Sequence, residues 1–114
     1  MATVSYKVLG QINPAGNTLT NVYVVPAYYN SVISSLIICN QSSSNANVSI
    51  AAQPAGAAID PRHYLVFRAS IPANETIPMT IGITLGQNDI LSANVASPNI
   101  SISAFGMETQ SIAP

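Results

Sequence analysis

Residues Val32 to Ile50, VISSLIICNQSSSNANVSI, constrain the fold more than any other stretch of this chain. Val32, Ile33, Leu36, Ile37, Ile38 and Cys39 put apolar side chains on both faces of an extended backbone. That pattern suits a strand covered on both sides, or one lying at an oligomer interface. Between Asn40 and Asn47, Asn and Ser side chains can bond their own backbone and so favour a loop. Val48, Ile50 and Ala52 then resume a two-residue period, and the stretch predicts a central strand followed by a hairpin.

Similar runs punctuate the rest of the chain. The turn Asn13-Pro14-Ala15-Gly16-Asn17 separates a strand over Tyr6 to Gln11 from a β-branched and aromatic one over Thr18 to Val25. The latter stops at Pro26, whose missing N–H cannot serve an internal ladder. Pro54 and Pro61 bound a small-residue segment that no helix could cross, which predicts a long loop. His63 to Ser70 reads as a strand with Leu65, Phe67, Ala69 and then Ile71 on one face and Tyr64, Val66 and Arg68 on the other. Ile77, Met79, Ile81, Ile83 and Leu85 alternate with Pro78, Thr80, Gly82 and Thr84, the cleanest period of two in the sequence. Pro78 and Gly82 suggest that this strand is an edge or carries a bulge. Ile90 to Val95 and Ile100 to Phe105 form a closing pair, with Ile100, Ile102 and Ala104 facing inward. About eight short strands with turn signals between them, and no helical periodicity, predict an all-β antiparallel sandwich or jelly roll. It is read as one domain over residues 1–114, with a short N-terminal arm (1–5) and a C-terminal tail (107–114).

Charge narrows the function classes. Charged residues make up only 6% of the chain, where about 25% is usual. Lys7, Arg62 and Arg68 are the only cations, and the net charge is -1, so there is no electrostatic footprint for nucleic acid. Copies of such a chain repel one another weakly, which points to a stable oligomer. No run reaches the ~18 to 20 apolar residues of a membrane-spanning helix, and no membrane partner is expected. The N-terminus lacks the basic and apolar regions of a secretory signal, so the product is expected either to stay where it is made or to be a mature form. Cys39 lies in an apolar run and is expected to be a buried, inert thiol.

Reactive groups are few and scattered. His63 is the single histidine, and no nucleophile-elbow glycines surround any serine, so no catalytic residue is assigned. One His, one Cys and four separated carboxylates show no metal-ligand spacing, and no glycine-rich phosphate loop occurs. Neither a metal nor a cofactor is expected. Tyr28 and Tyr29 beside Asn30 form an aromatic cluster in a loop, suited to an intersubunit contact or, alternatively, to a glycan platform.

VYVVPA (Val22 to Ala27), the stretch from Val32 to Gly56, HYLVFRASIPANETIPMTIGITLGQNDIL (His63 to Leu91) and SISAFGME (Ser101 to Glu108) together resemble small virion proteins of tailed bacteriophages. The resemblance covers most of the chain and implies a β-sandwich made in the bacterial host cytoplasm and assembled into the virion. A capsid decoration or cement protein is the first expectation, with a tail, collar or baseplate component and a receptor or glycan-binding module as alternatives. The implied partners are further copies, as a homotrimer or higher oligomer, and the major capsid protein or other virion proteins. Assembly contacts are expected at Tyr28, Tyr29, Arg62, Arg68, Met107 and Glu108.

Overall fold

The computed structural model describes residues 4–80 and 82–110, and its strand pairings are nested. β1 (Val4–Ile12) runs antiparallel to β9 (Ile100–Gln110), and β2 (Thr20–Val24) to β8 (Ile90–Val95). β3 (Tyr29–Asn40) pairs with both β6 (Thr76–Met79) and β7 (Ile83–Leu85), and β4 (Ala46–Gln53) pairs with β5 (Tyr64–Ile71). The chain is therefore one long hairpin with its tip at β4 and β5. It is rolled so that β9 also meets β3 and β8 also meets β4. Two antiparallel sheets result: β1-β9-β3-β6 with β7 also on β3, and β2-β8-β4-β5. Because β6 and β7 share one position beside β3, nine strands occupy the eight positions of a jelly roll.

The core lies between the sheets. Ile33, Leu36 and Ile38 of β3 and Ile100, Ile102 and Ala104 of β9 are fully buried, and they face Val48, Ile50, Leu91 and Val95 from the second sheet. Each of the larger side chains contributes roughly 1.5–3 kcal/mol by leaving water. The central strand foreseen at Val32 is β3, hydrogen-bonded on both sides. The hairpin expected after it and the closing pair expected of Ile90–Val95 with Ile100–Phe105 do not form: β4 pairs with β5 and β8, and β9 with β1 and β3, so each loop crosses from one sheet to the other. The loop from β3 to β4 closes around the buried Asn40. That side chain donates to the carbonyls of Ser44, Ile71 and Pro72 and accepts from the Ser42 N–H and hydroxyl.

Three further expectations are corrected. The alternating run from Ile77 is two strands, because both pieces pair with β3 across a bulge between Ile33 and Ser35. Gly82 between them takes φ +54, a conformation that costs glycine little, while Ile81 lies outside the described residues. In β5 the alternation breaks: Ala69 and Ile71 turn inward, but Leu65 and Phe67 face solvent. Register shifts against β4 and a left-handed Arg68 (φ +53), whose N–H bonds the Ser49 hydroxyl, re-aim the side chains. Finally, Met107 to Gln110, expected in the tail, complete β9, and Val4 and Ser5, expected in the arm, open β1. Residues 1–3 and 111–114 lie outside the described residues.

The long loop after β4 contains two 3₁₀ turns, Pro54–Gly56 and Pro61–His63. Loops gather at the two ends of the sandwich. At one end, the β3–β4, β5–β6 and β8–β9 loops line a cleft of about 800 Å³ walled by Ser and Asn side chains. At the other, Tyr28 N–H donates to Gln87 and Ala55 N–H to Asp89. The long strands β3 and β9 set the 50 Å dimension of the 50 × 27 × 20 Å body.

Candidate functional site

β5 is a sheet edge, and its irregular backbone puts apolar side chains outside. Phe67 is 61% exposed and Leu65 48%, with Ile59 of the preceding loop also exposed. Tyr64 packs edge-on against the Phe67 ring, centroids 5.0 Å apart at 73°, and the Arg68 guanidinium sits 5.3 Å from that ring's centroid. An exposed cation over an aromatic face is worth about 0.5–1 kcal/mol. The contacts hold Phe67 outward in a fixed pose.

Tyr64 and Phe67 separate two concavities. One, of about 520 Å³, is closed by Ile59, Asp60 and Pro61 and is mostly apolar. The other, of about 300 Å³, is lined by Arg68 and by the amides of Asn17, Asn47 and Asn94. The turn beneath is braced by His63, which is buried and accepts the Asp60 N–H at Nδ1 (3.1 Å), while Asp60 accepts the Arg62 N–H. His63 thus caps a turn.

A second cluster is internal. Glu108 is 5% exposed. Its carboxylate accepts the Tyr23 hydroxyl at 2.5 Å and the Lys7 ammonium at 2.7 Å, and Tyr23 Oη also lies 2.6 Å from Ser31 Oγ. Burial by itself would raise the Glu108 carboxyl, but the hydrogen bonds from Lys7 and Tyr23 and the Lys7 charge outweigh it and hold the group below its ordinary range. The hydrogen bond to Glu108, with the attraction between the two charges, raises Lys7. Burial, then the bond to Glu108, raises Tyr23. The cluster ties β1, β2, β3 and β9 together, and no buried polar side-chain atom is left unpaired among the described residues.

The residues singled out for assembly do not form one site. Arg68 belongs to the β5 surface, and Arg62, exposed on the adjacent turn, lies 3.8 Å from Asp60. Tyr28 is 55% exposed with φ +68 at the turn into β3, whereas Tyr29 packs against the core. Met107 is half-buried on β9 opposite Tyr6 and Val32. Glu108 is directed inward, because its partners are Tyr23 and Lys7. Cys39, expected to be buried, is half-buried. Sequence reasoning missed Leu65, Phe67 and Ile59 as surface groups, because the alternation runs on through Arg68, Ala69, Ser70 and Ile71 and gives no local sign of the bulge. No group of three or more His, Cys, Asp or Glu able to hold a metal occurs among the described residues, and none of their helices is long and apolar enough to cross a membrane.

No family model matches this chain, and no curated protein matches it. Among solved structures, the fold matches a chain of the T13 IBDV viral particle at TM-score 0.53 and 12% identity, over 95% of this chain and 30% of that one. A structure of infectious bursal disease virus Gx strain gives 0.48 at 14% identity (96% and 32%). A pentameric capsid protein isolated from metagenomic phage sequences gives 0.42 at 17% identity (91% and 61%). This chain thus spans about a third of the two virus-particle chains and less than two thirds of the phage capsid protein. The first likeness establishes a β fold shared with a viral particle chain.

Proposed function

We propose that this chain is a virion structural protein, and specifically a capsid decoration or cement protein of a tailed bacteriophage that braces the head shell over capsomer junctions. The observation that carries this reading is the exposed apolar surface of β5, where Phe67 is held outward by Tyr64 and Arg68 beside Leu65 and Ile59. A chain with 6% charged residues that still keeps such side chains in water is suited to adhesion. The mechanism is linkage: a subunit that binds the mature shell and not looser states stabilises the mature shell by its binding free energy. Residues 1–114 act as one β-sandwich unit, without catalysis. It is made in the host cytoplasm and joins the major capsid protein and further copies of itself.

The test is stoichiometry in purified virions. A decoration protein is present in hundreds of copies, whereas a tail, collar or baseplate component gives a few dozen at most, and absence from the particle refutes both. Phe67→Ser should abolish recruitment to undecorated heads while lowering the melting temperature of the free chain by no more than roughly 8 °C, the loss of its Tyr64 and Arg68 contacts. A second reading, glycan recognition, is favoured by the groove where Tyr64, Phe67 and Arg68 meet the amides of Asn47 and Asn94. Glycan-array signal lost on Tyr64→Ala and kept on Phe67→Leu would promote it.

A further inference from the structure

The outer face of the β1-β9-β3 sheet is a second apolar surface, distinct from β5. Strand register fixes which side chains lie on it, because residues paired across strands share a face. The buried Ile33, Leu36, Ile38, Ile102 and Ala104 define the inner face. Tyr6, Met107, Val32 and Thr84 therefore form one outward row across four strands. Val8, Phe105 and Ser35 form the next, and Ile37 with Pro78 continues the surface toward β6. Tyr6 is 81% exposed, Val4 48% and Val8 47%, while Val32, Phe105 and Met107 are each partly exposed. An antiparallel sheet facing water ordinarily alternates to polar residues on that side; here the rows through Tyr6 and Val8 are largely apolar, and polar residues gather at the other end of the face, at Gln11, Ser101 and Ser103.

No outward position on these strands carries a charge. The chain has three cations and four carboxylates. On this sheet Lys7 and Glu108 face inward and hold each other; the other charged residues lie on β5, on the turn before it, or in the β5–β6 and β7–β8 turns. We infer that this face packs against the same face of a second copy, as a two-fold, sheet-on-sheet dimer. A surface brought against its own image meets each of its charges again, and a face with none incurs no like-charge opposition in any orientation. The composition agrees, since interface centres are poor in charge and rich in Tyr, Phe and Met. So does the size. β1, β9 and β3, of 9, 11 and 12 residues, with β7 and β6 of 3 and 4 beside them, at about 3.3 Å per residue and 4.8 Å between strands present roughly 600 Å² per copy, at the lower end of the ~600–1,000 Å² per partner of a stable interface. This inference deepens the virion reading by naming the self-contact within it. It concerns the purified chain, so it can fail or hold whether or not the chain is found in particles.

The test is the mass of the purified chain by analytical ultracentrifugation, with the charge of the face changed. The parent chain should sediment at twice its 11.9 kDa at micromolar concentration. Tyr6→Lys with Met107→Lys, and Tyr6→Glu with Met107→Glu, should each raise the dimer Kd at least about a hundredfold. Mixing the two variants should restore the dimer, since opposite charges then face each other. Footprinting of the parent chain gives a readout that needs no variant to fold: Met107 should be shielded from oxidation in the dimer and react on dilution. A monomeric parent chain, variants that keep the parent mass, equal Met107 reactivity at all concentrations, or dissociation by Phe67→Lys in their place would each overturn the inference.

Discussion

Replacing Glu108 by Gln isolates the charge of the buried cluster while keeping its shape. The carboxylate holds two charge-assisted hydrogen bonds, from Tyr23 at 2.5 Å and Lys7 at 2.7 Å; the buried bond from Tyr23 contributes about 1.5–3 kcal/mol, while the Lys7 side chain is half exposed and water screens its share. The amide oxygen retains a neutral bond from Tyr23 but loses the ion pair, and its NH₂ group then faces an ammonium. A net loss of about 2 kcal/mol follows. With an unfolding entropy near 2.1 cal/mol/K per residue over 114 residues, that loss lowers Tm by roughly 8 °C at pH 7. The pH dependence is the sharper check. The Glu108 carboxyl is held below its ordinary value of 4.5, so its contribution is complete above that pH and disappears as pH falls through the folded-state value. Lys7 is raised above 10.5, so its share persists through neutral pH and is lost as pH rises past that point. Thermal melts of both proteins at equal concentration from pH 2.5 to 8 should show a gap that is full above about pH 5 and closes toward the acid end. A gap of equal size at pH 3 and pH 7, or no loss at pH 7, would refute the assigned role of the carboxylate.

Two further substitutions probe the frame. Asn40→Ala removes the partner of the Ser44, Ile71 and Pro72 carbonyls and should cost about 2–3 kcal/mol in chemical denaturation, with an unchanged m-value. Gly106→Ala drives a methyl group into the backbone carbonyl of Val32 on the neighbouring β3. It should cost about 3 kcal/mol or more and reduce soluble yield, whereas Gly82→Ala, with open space around it, should lose about 1 kcal/mol or less from its positive φ.

The sandwich was legible because hydrophobic period and turn chemistry are local signals. The inward set Ile100, Ile102 and Ala104, the span Ile90–Val95 and the central position of β3 follow from alternation and flanking turns. What escaped depends on contacts distant in sequence. A bulge reverses every later side chain in a strand relative to the earlier ones, so the Arg68 irregularity puts Leu65 and Phe67 on the face opposite Ala69 and Ile71, with which they were expected to lie. Glu108 reads as a surface residue until Lys7, a hundred positions earlier, is brought to 2.7 Å from it by the pairing of β1 with β9. The proposed assembly surfaces were half visible. Apolar residues on both faces of Val32–Cys39 signalled a second apolar side, but only the register shows that Tyr6, Met107 and Val32 share a row.

An image reconstruction of the virion at a resolution that traces strands bears most directly on whether this chain works by adhesion. Expected is a repeated density on the head surface with Phe67 and Leu65 buried against the shell and the uncharged face of β1, β9 and β3 covered by a second copy. Particles without the chain, or copies with both surfaces open to solvent, would contradict it.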